Sequence, residues 1–302
     1  SHYSMPASAS VLSWRDAATI IMLSRSTRRV LLLRRGQRAA FMPGAYVFPG
    51  GNVNEGETAR DAVLRELFEE TGVLAYADAP WRTAVDDPRT AKWQDWCNER
   101  EAPRDLLKQL LKGSRLATDA LVPWSTWLTP NASIYRRRFM TDFFVLPVDG
   151  EPEIRPCSRE MEQAVWRSPK ELLEEAYSGT ASVPPPQQYE MRRLQDVDLA
   201  RLASYRIRKV LFPHLLVPEE VEGVRSVVRV NILPGDQDYI DEPPGIFSQG
   251  TRVVPVHKLL APDRTKPLHR LTYLSDPMYA KCTIDVEGVD PVAMREKRMS
   301  RI

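Results

Sequence analysis

The chain is poor in cysteine, with three in 302 residues. Cys97, Cys157 and Cys282 lie far apart and form no C-x-x-C pair, which excludes a disulfide framework and a cysteine-built zinc site. A reducing, intracellular compartment is expected. Histidine is also scarce, and His214, His257 and His269 have no ligand spacing, so they read as structural or surface residues. No serine or cysteine stands in a G-x-S-x-G setting, which argues against a nucleophile elbow. Charge of one sign is lacking too. With 42 Lys and Arg against 40 Asp and Glu, the net charge of +2 gives no global field toward nucleic acid or a membrane. No apolar run reaches the roughly 18 residues of a membrane span, no signal peptide is expected, and no repeat of fixed period is visible. What the chain has in excess is proline, 25 in all, which implies many loops and rigid turns. Its length suits one large domain or two modest ones.

"AATIIML" (Ala17 to Leu23) and "VLLLR" (Val30 to Arg34) read as strands, and their continuous apolar character predicts a sheet buried on both faces. "GAYVFPGG" (Gly44 to Gly51) implies a tight backbone path. Thr58 to Thr71 reads as a helix stopped by Gly72. Residues 80–113 are polar, hold Trp81, Trp93 and Trp96, and read as a mostly helical insertion. "LVPWSTWLT", "RFMTDFFVLPV" and "AVWRSP" return to strand character. "SPKELLEEAYSG" carries a capping box at Ser168 and Glu171 and a closing Gly179. "VPPP" (Val183 to Pro186) reads as a break, followed by a helix over 187–208 and then short strands in "VVRVNIL", "RVVPV" and "HRLTYL".

The most informative stretch is "RELFEETG", Arg65 to Gly72. On a helix, Glu66, Glu69 and Glu70 stand at i, i+3 and i+4 and share one face. Like charges so placed repel by a few tenths of a kcal/mol per pair, about 0.2–0.5, unless something neutralises them. The same face carries Ala59 and Ala62, expected to leave space above it, while Leu64, Leu67 and Phe68 point elsewhere and anchor the helix. Clustered carboxylate oxygens are what a hard cation such as Mg²⁺ takes. Glu57 suits the helix start, and the Gly50–Gly51 loop can aim a backbone carbonyl at a metal.

From Gly51 to Val73 the chain resembles the Nudix box, G-x5-E-x7-R-E-U-x-E-E-x-G-U with U aliphatic. Gly51, Glu57, Arg65, Glu66, Glu69, Glu70 and Gly72 all fall in register. The resemblance implies an α/β fold, an α/β/α sandwich with a mixed sheet. It also implies Mg²⁺- or Mn²⁺-dependent hydrolysis of a nucleoside diphosphate linked to another group. Glu66, Glu69, Glu70 and the Gly50 carbonyl would hold the metal, and Glu66 and Glu70 would be catalytic. Arg65 would orient the carboxylates. Glu160, in "CSREMEQAVWRSP", would be the base or an extra ligand, with Glu162 the alternative.

The upstream stretch "LLLRRGQRAAFMPGAYVFPGG" resembles the motif of coenzyme A diphosphatases, L-L-T-x-R-[SA]-x3-R-x3-G-x3-F-P-G-G. Leu33, Gly36 and Ala40 depart from it. "WRDAATIIML", "PWSTWLTP", "RRFMTDFF" and "WRSPKELL" are similar to the peroxisomal coenzyme A diphosphatase subgroup and its bacterial relatives. The implied reaction releases 3′,5′-ADP and (acyl-)4′-phosphopantetheine. Arg34, Arg35 and Arg38, and the run Arg136, Arg137 and Arg138, are the candidates to bind substrate phosphates, with Arg35, Arg38 and Arg137 foremost, and the insertion tryptophans would stack on adenine, line an acyl channel or pack the insertion. The alternatives are ADP-ribose, NADH or dinucleoside polyphosphates as substrate, or a non-catalytic nucleotide sensor. Neither nucleic acid nor a membrane is an expected partner, and the oligomeric state is open, a homodimer included. Residues 11–195 are expected to form the Nudix domain, with an insertion at about 80–116, and residues 196–302 an extension packed on it. Ser300-Arg301-Ile302 resembles a peroxisomal address; without it the expected place is the cytoplasm.

Overall fold

In a computed structural model, which describes residues 14–37, 42–77, 81–132, 137–157, 161–219, 227–241 and 251–295, the two apolar runs become β1 (Arg15–Ser24) and β2 (Val30–Arg35). The glycine-flanked path becomes two short strands, β3 (Tyr46–Val47) and β4 (Gly50–Asn52), and the charged stretch lies on α1 (Ala59–Thr71). The expected insertion contributes β5 (Val73–Leu74), β6 (Arg82–Thr83), α2 (Pro88–Cys97) and α3 (Leu106–Leu111). The chain continues through β7 (Val122–Leu128), β8 (Phe139–Val148), β9 (Met161–Arg167), α4 (Pro169–Ser178) and α5 (Pro185–Leu194).

The main sheet runs β3-β2-β1-β8-β7, with β4 against β1 and β9 against β2. β1 and β8 are parallel from Arg15↔Phe139 to Ser24↔Val148, so the sheet is mixed. β1 and β2 pair at Leu23↔Val30 near their hairpin and then part. β4 takes over the free edge of β1 (Thr19↔Gly50 to Ala17↔Asn52), and β3 takes the edge of β2 (Leu33↔Val47). Residues 46–52 thus fill a fork in the sheet.

Both faces of the sheet are covered, which explains the absence of alternation in β1 and β2. Ile20, Met22 and Leu31 pack under Leu64 and Leu67 of α1. Ile21, Leu23 and Leu32 pack with Leu172 of α4 and with Tyr189 and Met191 of α5. The expected α/β/α layering is therefore present. Phe68 leaves α1 on a different side and meets Leu107 and Leu111 of α3, so the insertion has its own small core.

"VPPP" falls at the break between α4 and α5 and runs into the start of the latter. Pro184 is the N-cap of α5 and Pro185 occupies its first turn, where proline's missing N–H costs nothing. The helix expected over 187–208 ends at Leu194; Asp198 caps a separate 3-10 segment, Leu199–Tyr205, by accepting from the Ala200 N–H. α5 docks through Glu190, which is fully buried. Its carboxylate accepts from Trp124 Nε1 at 2.6 Å, Ser125 Oγ at 2.6 Å, Trp127 Nε1 at 2.7 Å and Arg193 at 2.6 Å.

The remaining chain forms β10 (His214–Pro218), β11 (Val228–Ile232), β12 (Thr251–Val254), α6 (Val256–Leu260), β13 (Leu268–Leu274) and β14 (Thr283–Glu287). Its five strands are ordered β12-β10-β11-β13-β14. Leu233, Leu271, Tyr273 and Tyr279 enter the same apolar cluster as α5 and the main sheet.

Candidate active site

α1 is set by its ends. The Thr58 side chain accepts from the Asp61 N–H at the start, and Gly72 closes the helix with φ 71, its N–H returning to the Phe68 carbonyl. Ala62 is fully buried in the cluster against the sheet. This corrects the expectation that Ala59 and Ala62 leave open space beside the glutamates. The small residues instead let the helix approach the sheet, so that Glu66 reaches β4. A Cβ built on Gly51 would lie 2.5 Å from the Glu66 carboxyl carbon. The carboxylate occupies the space that any other residue at position 51 would fill.

Gly50 has φ +155, and a Cβ there would meet the Ala18 carbonyl oxygen at 2.3 Å, so only glycine fits the fork. Its N–H donates to Glu70 Oε2 at 2.9 Å. The fork and the last turn of α1 are joined by that bond.

Arg65 is buried at the centre of the site. Nε and Nη2 grip both oxygens of Glu57, at 2.9 and 3.1 Å. Nη1 donates to Glu66 at 2.9 Å and to Glu69 at 3.0 Å, and Nη2 also reaches the Asn52 carbonyl at 2.9 Å. Burial alone would lower its pKa, but the Glu57 hydrogen bond and the neighbouring carboxylates carry it upward, so it stays charged. One guanidinium thus joins three carboxylates, those of Glu57, Glu66 and Glu69. Burial raises the pKa of Glu69 to about 7, and Glu66 and Glu57 add to the rise against the pull of Arg65. Among the described residues no three His, Cys, Asp or Glu side chains converge on a common metal position. Glu66 and Glu69 lean on Arg65, and Glu70 leans on Gly50.

The end of α1 is held from the insertion. Gln94 and Asn98 of α2 both donate to the Glu69 carbonyl, at 3.1 and 2.8 Å. Gln94 also reaches the Arg155 carbonyl at 2.9 Å. The N–H groups of Arg155 and Cys157 donate to the Thr71 and Glu70 carbonyls, both at 2.9 Å. These contacts satisfy carbonyls that a helix end leaves open. None has a signal in the box pattern, because each partner is distant in sequence and chemically ordinary.

The other expected residues are scattered. Arg35 ends β2 at the rim of the fork; its N–H donates to the Ala45 carbonyl at 2.9 Å and its carbonyl accepts from Gly44 at 3.1 Å. Glu162 accepts from the Gln37 N–H at 2.9 Å on the same rim. Arg137 is exposed, whereas Arg138 turns inward, donating to the Thr129 carbonyl at 3.2 Å and lying over the Phe212 ring. Arg138 is thereby withdrawn from the surface phosphate-binding run expected of it. Arg38, Arg136, Glu160 and the Ser300-Arg301-Ile302 ending lie outside the described residues.

A NUDIX domain model matches residues 13–100, and a NUDT19 Nudix domain model matches residues 58–194. A Caenorhabditis elegans protein named "Putative nudix hydrolase 7" is 39% identical over 275 residues, covering 89% of this chain and 88% of the relative. The chain belongs to the Nudix hydrolase family. Two acyl-coenzyme A diphosphatases named NUDT19 are also similar. The Xenopus laevis protein is 26% identical across 76% of this chain and 82% of its own length, and the human protein 27% identical across 76% and 81%. The crystal structure of a NUDIX hydrolase from Alicyclobacillus acidocaldarius shares the fold, with a TM-score of 0.51 over 61% of this chain and 92% of its own, at 22% identity. This Nudix hydrolase therefore presents its box, Gly51 to Val73, as a fork, a loop and one helix of a mixed sheet.

Proposed function

We propose that this Nudix hydrolase cleaves the diphosphate linkage of coenzyme A or acyl-coenzyme A in a divalent-metal-dependent reaction. The products are 3′,5′-ADP and (acyl-)4′-phosphopantetheine. The observation that carries the reading is the carboxylate cluster gathered by Arg65 and seated on Gly50 and Gly51. The acyl-coenzyme A diphosphatases similar over three quarters of the chain support the substrate class.

The donor set fits a hard divalent cation. It is all oxygen, three of its groups are carboxylates, and the missing Gly51 side chain leaves the Glu66 carboxylate its place. Glu66, Glu69, Glu70 and the Gly50 carbonyl would hold Mg²⁺ or Mn²⁺. When bound, such an ion neutralises the diphosphate and lowers the pKa of an attacking water. The chain's own residues supply position. Arg65 fixes Glu57, Glu66 and Glu69 relative to one another through charge-assisted bonds. The Gly50 N–H holds Glu70 at the fork. A carboxylate of the site must take the proton of the attacking water. Arg35, at the rim, and exposed Arg137 are the described cations assigned to substrate phosphates, because guanidinium binds phosphate through paired N–H donors.

The test is a substrate panel with Mg²⁺ or Mn²⁺ and products identified by mass. It includes coenzyme A, acyl-coenzyme A, ADP-ribose, NADH and diadenosine polyphosphates. Highest kcat/KM on a coenzyme A species, with 3′,5′-ADP released, supports the reading. A preference for ADP-ribose, NADH or a dinucleoside polyphosphate overturns the substrate class.

A further inference from the structure

The insertion builds a second cavity whose charge the diphosphate-cleaving centre does not use. It measures about 480 Å³ and is walled by Tyr76, Trp93, Arg82, Arg89, Lys112 and Arg115, with small and aliphatic residues between them. No carboxylate is among its described lining residues. Arg82 lies over the Tyr76 ring at 5.6 Å and Arg89 over the Trp93 ring at 5.1 Å. A cation held on a ring face keeps its N–H edge available to an anion.

Four like charges around one cavity repel, and the described residues do little to offset this. Among the described residues, no side-chain hydrogen bond or ion pair is made by any of the four. Asp87 is the carboxylate that senses Arg82 and Arg89. It is already engaged as the cap of α2, accepting from the Arg89 N–H at 3.0 Å and from Thr90 Oγ1 at 2.7 Å. The aromatic rings are half-buried, and Trp93 packs with Phe68 and Leu111, so the walls are anchored to α1 and α3. The volume falls within the roughly 300–1,000 Å³ of small-molecule sites. An anionic group with an attached planar ring satisfies both features at once. A bare anion would leave the rings unused, and an uncharged ring the cations.

We propose that this cavity is a binding site for a nucleoside phosphate, separate from the carboxylate centre on α1. Rings and guanidinium planes take the base, and the arginine edges with Lys112 take the phosphate. The assignment does not depend on which diphosphate the enzyme cleaves.

The test is calorimetric titration of the full chain with AMP in EDTA, where metal-dependent hydrolysis is suppressed. Wild type is expected to bind AMP at least about tenfold more tightly than adenosine or inorganic phosphate, a gap of about 1.4 kcal/mol. The triple substitution R82A/R89A/R115A and, as a milder exposed change, Lys112→Glu should weaken AMP at least about threefold, and the triple at least about tenfold. Glu70→Gln should leave AMP binding unchanged. Metal-dependent turnover of the triple variant at the wild-type kcat verifies that it is folded. AMP binding that survives in the triple variant, or is lost in Glu70→Gln, would place the nucleotide at the carboxylate centre and overturn the proposal. Absence of AMP binding to wild type at about 1 mM, or adenosine or phosphate matching AMP, would overturn the ligand class.

Discussion

At the residue scale, the site depends on what is absent at position 51 and on what Arg65 joins. Gly51→Ala puts a methyl group within 2.5 Å of the Glu66 carboxyl carbon. A displacement of about 1 Å in a catalytic group can cost about 100-fold, so kcat should fall by that order. The melting temperature should hardly move, since the displaced atoms end a flexible side chain. A thermal melt beside a turnover assay checks both. Arg65→Lys keeps the charge but loses the two-pronged grip on Glu57 and the simultaneous reach to Glu66, Glu69 and the Asn52 carbonyl. Stability should drop by about 1–3 kcal/mol, read as a lower urea midpoint at unchanged slope. An unchanged midpoint would show that Arg65 carries no structural share. Arg65 and the glutamates were legible in the sequence because they recur at helical spacing, and Gly51 because it keeps the register of the box. Arg138 was misread for the converse reason: three consecutive arginines look equivalent until the strand turns one of them toward Phe212.

At the scale of elements, α1 is a lever held at both ends. Thr58 caps its start, and Gln94, Asn98 and the segment at 155–157 hold its finish. Gln94 is buried and has two carbonyl acceptors, one of them in the turn that bears the glutamates. Gln94→Ala removes one donor from each of those carbonyls and leaves Asn98 as the side-chain donor to the Glu69 carbonyl, and the expected result is a several-fold fall in kcat with KM nearly constant. Such a split is what a positioning residue gives, whereas a rise in KM alone would assign Gln94 to substrate binding. The helices and main strands were readable from caps and apolar runs. The fork was not, because β3 and β4 span two and three residues and have no periodicity to detect. The helix after "VPPP" starts at Pro185, two residues before the expected Gln187, because proline serves well in the first turn of a helix.

At the scale of the whole molecule, the C-terminal sheet and the main sheet share one apolar cluster, and α5 joins them. His269 sits at this junction with Nδ1 2.7 Å from the Pro234 carbonyl and Nε2 2.7 Å from the Tyr189 hydroxyl, so the neutral ring donates to one and accepts from the other. Burial lowers its pKa from 6.5 to about 4. The unfolded chain binds a proton there at higher pH than the folded one. Stability from His269 is therefore full above about pH 6.5 and is lost as the pH falls toward 4, by on the order of 3 kcal/mol. Urea midpoints across pH 4 to 7 should show this slope, and His269→Gln should flatten it. His214, lowered to about 4 mainly by burial, adds to the slope in the same direction. The sequence marked both histidines as structural or surface residues, but long-range burial of this kind has no local signature.

The glutamates of α1, seated on the Gly50–Gly51 fork, are the proposed diphosphate-cleaving machinery. Its most direct test is Mg²⁺-dependent hydrolysis of coenzyme A by Glu70→Gln beside wild type, with melting curves for both. The carboxamide keeps an oxygen to accept from the Gly50 N–H, so the fold should persist, while kcat should fall by a factor of about 100 to 1,000 for loss of a charged group at the reacting centre. A folded Glu70→Gln enzyme turning over near the wild-type rate would contradict the account.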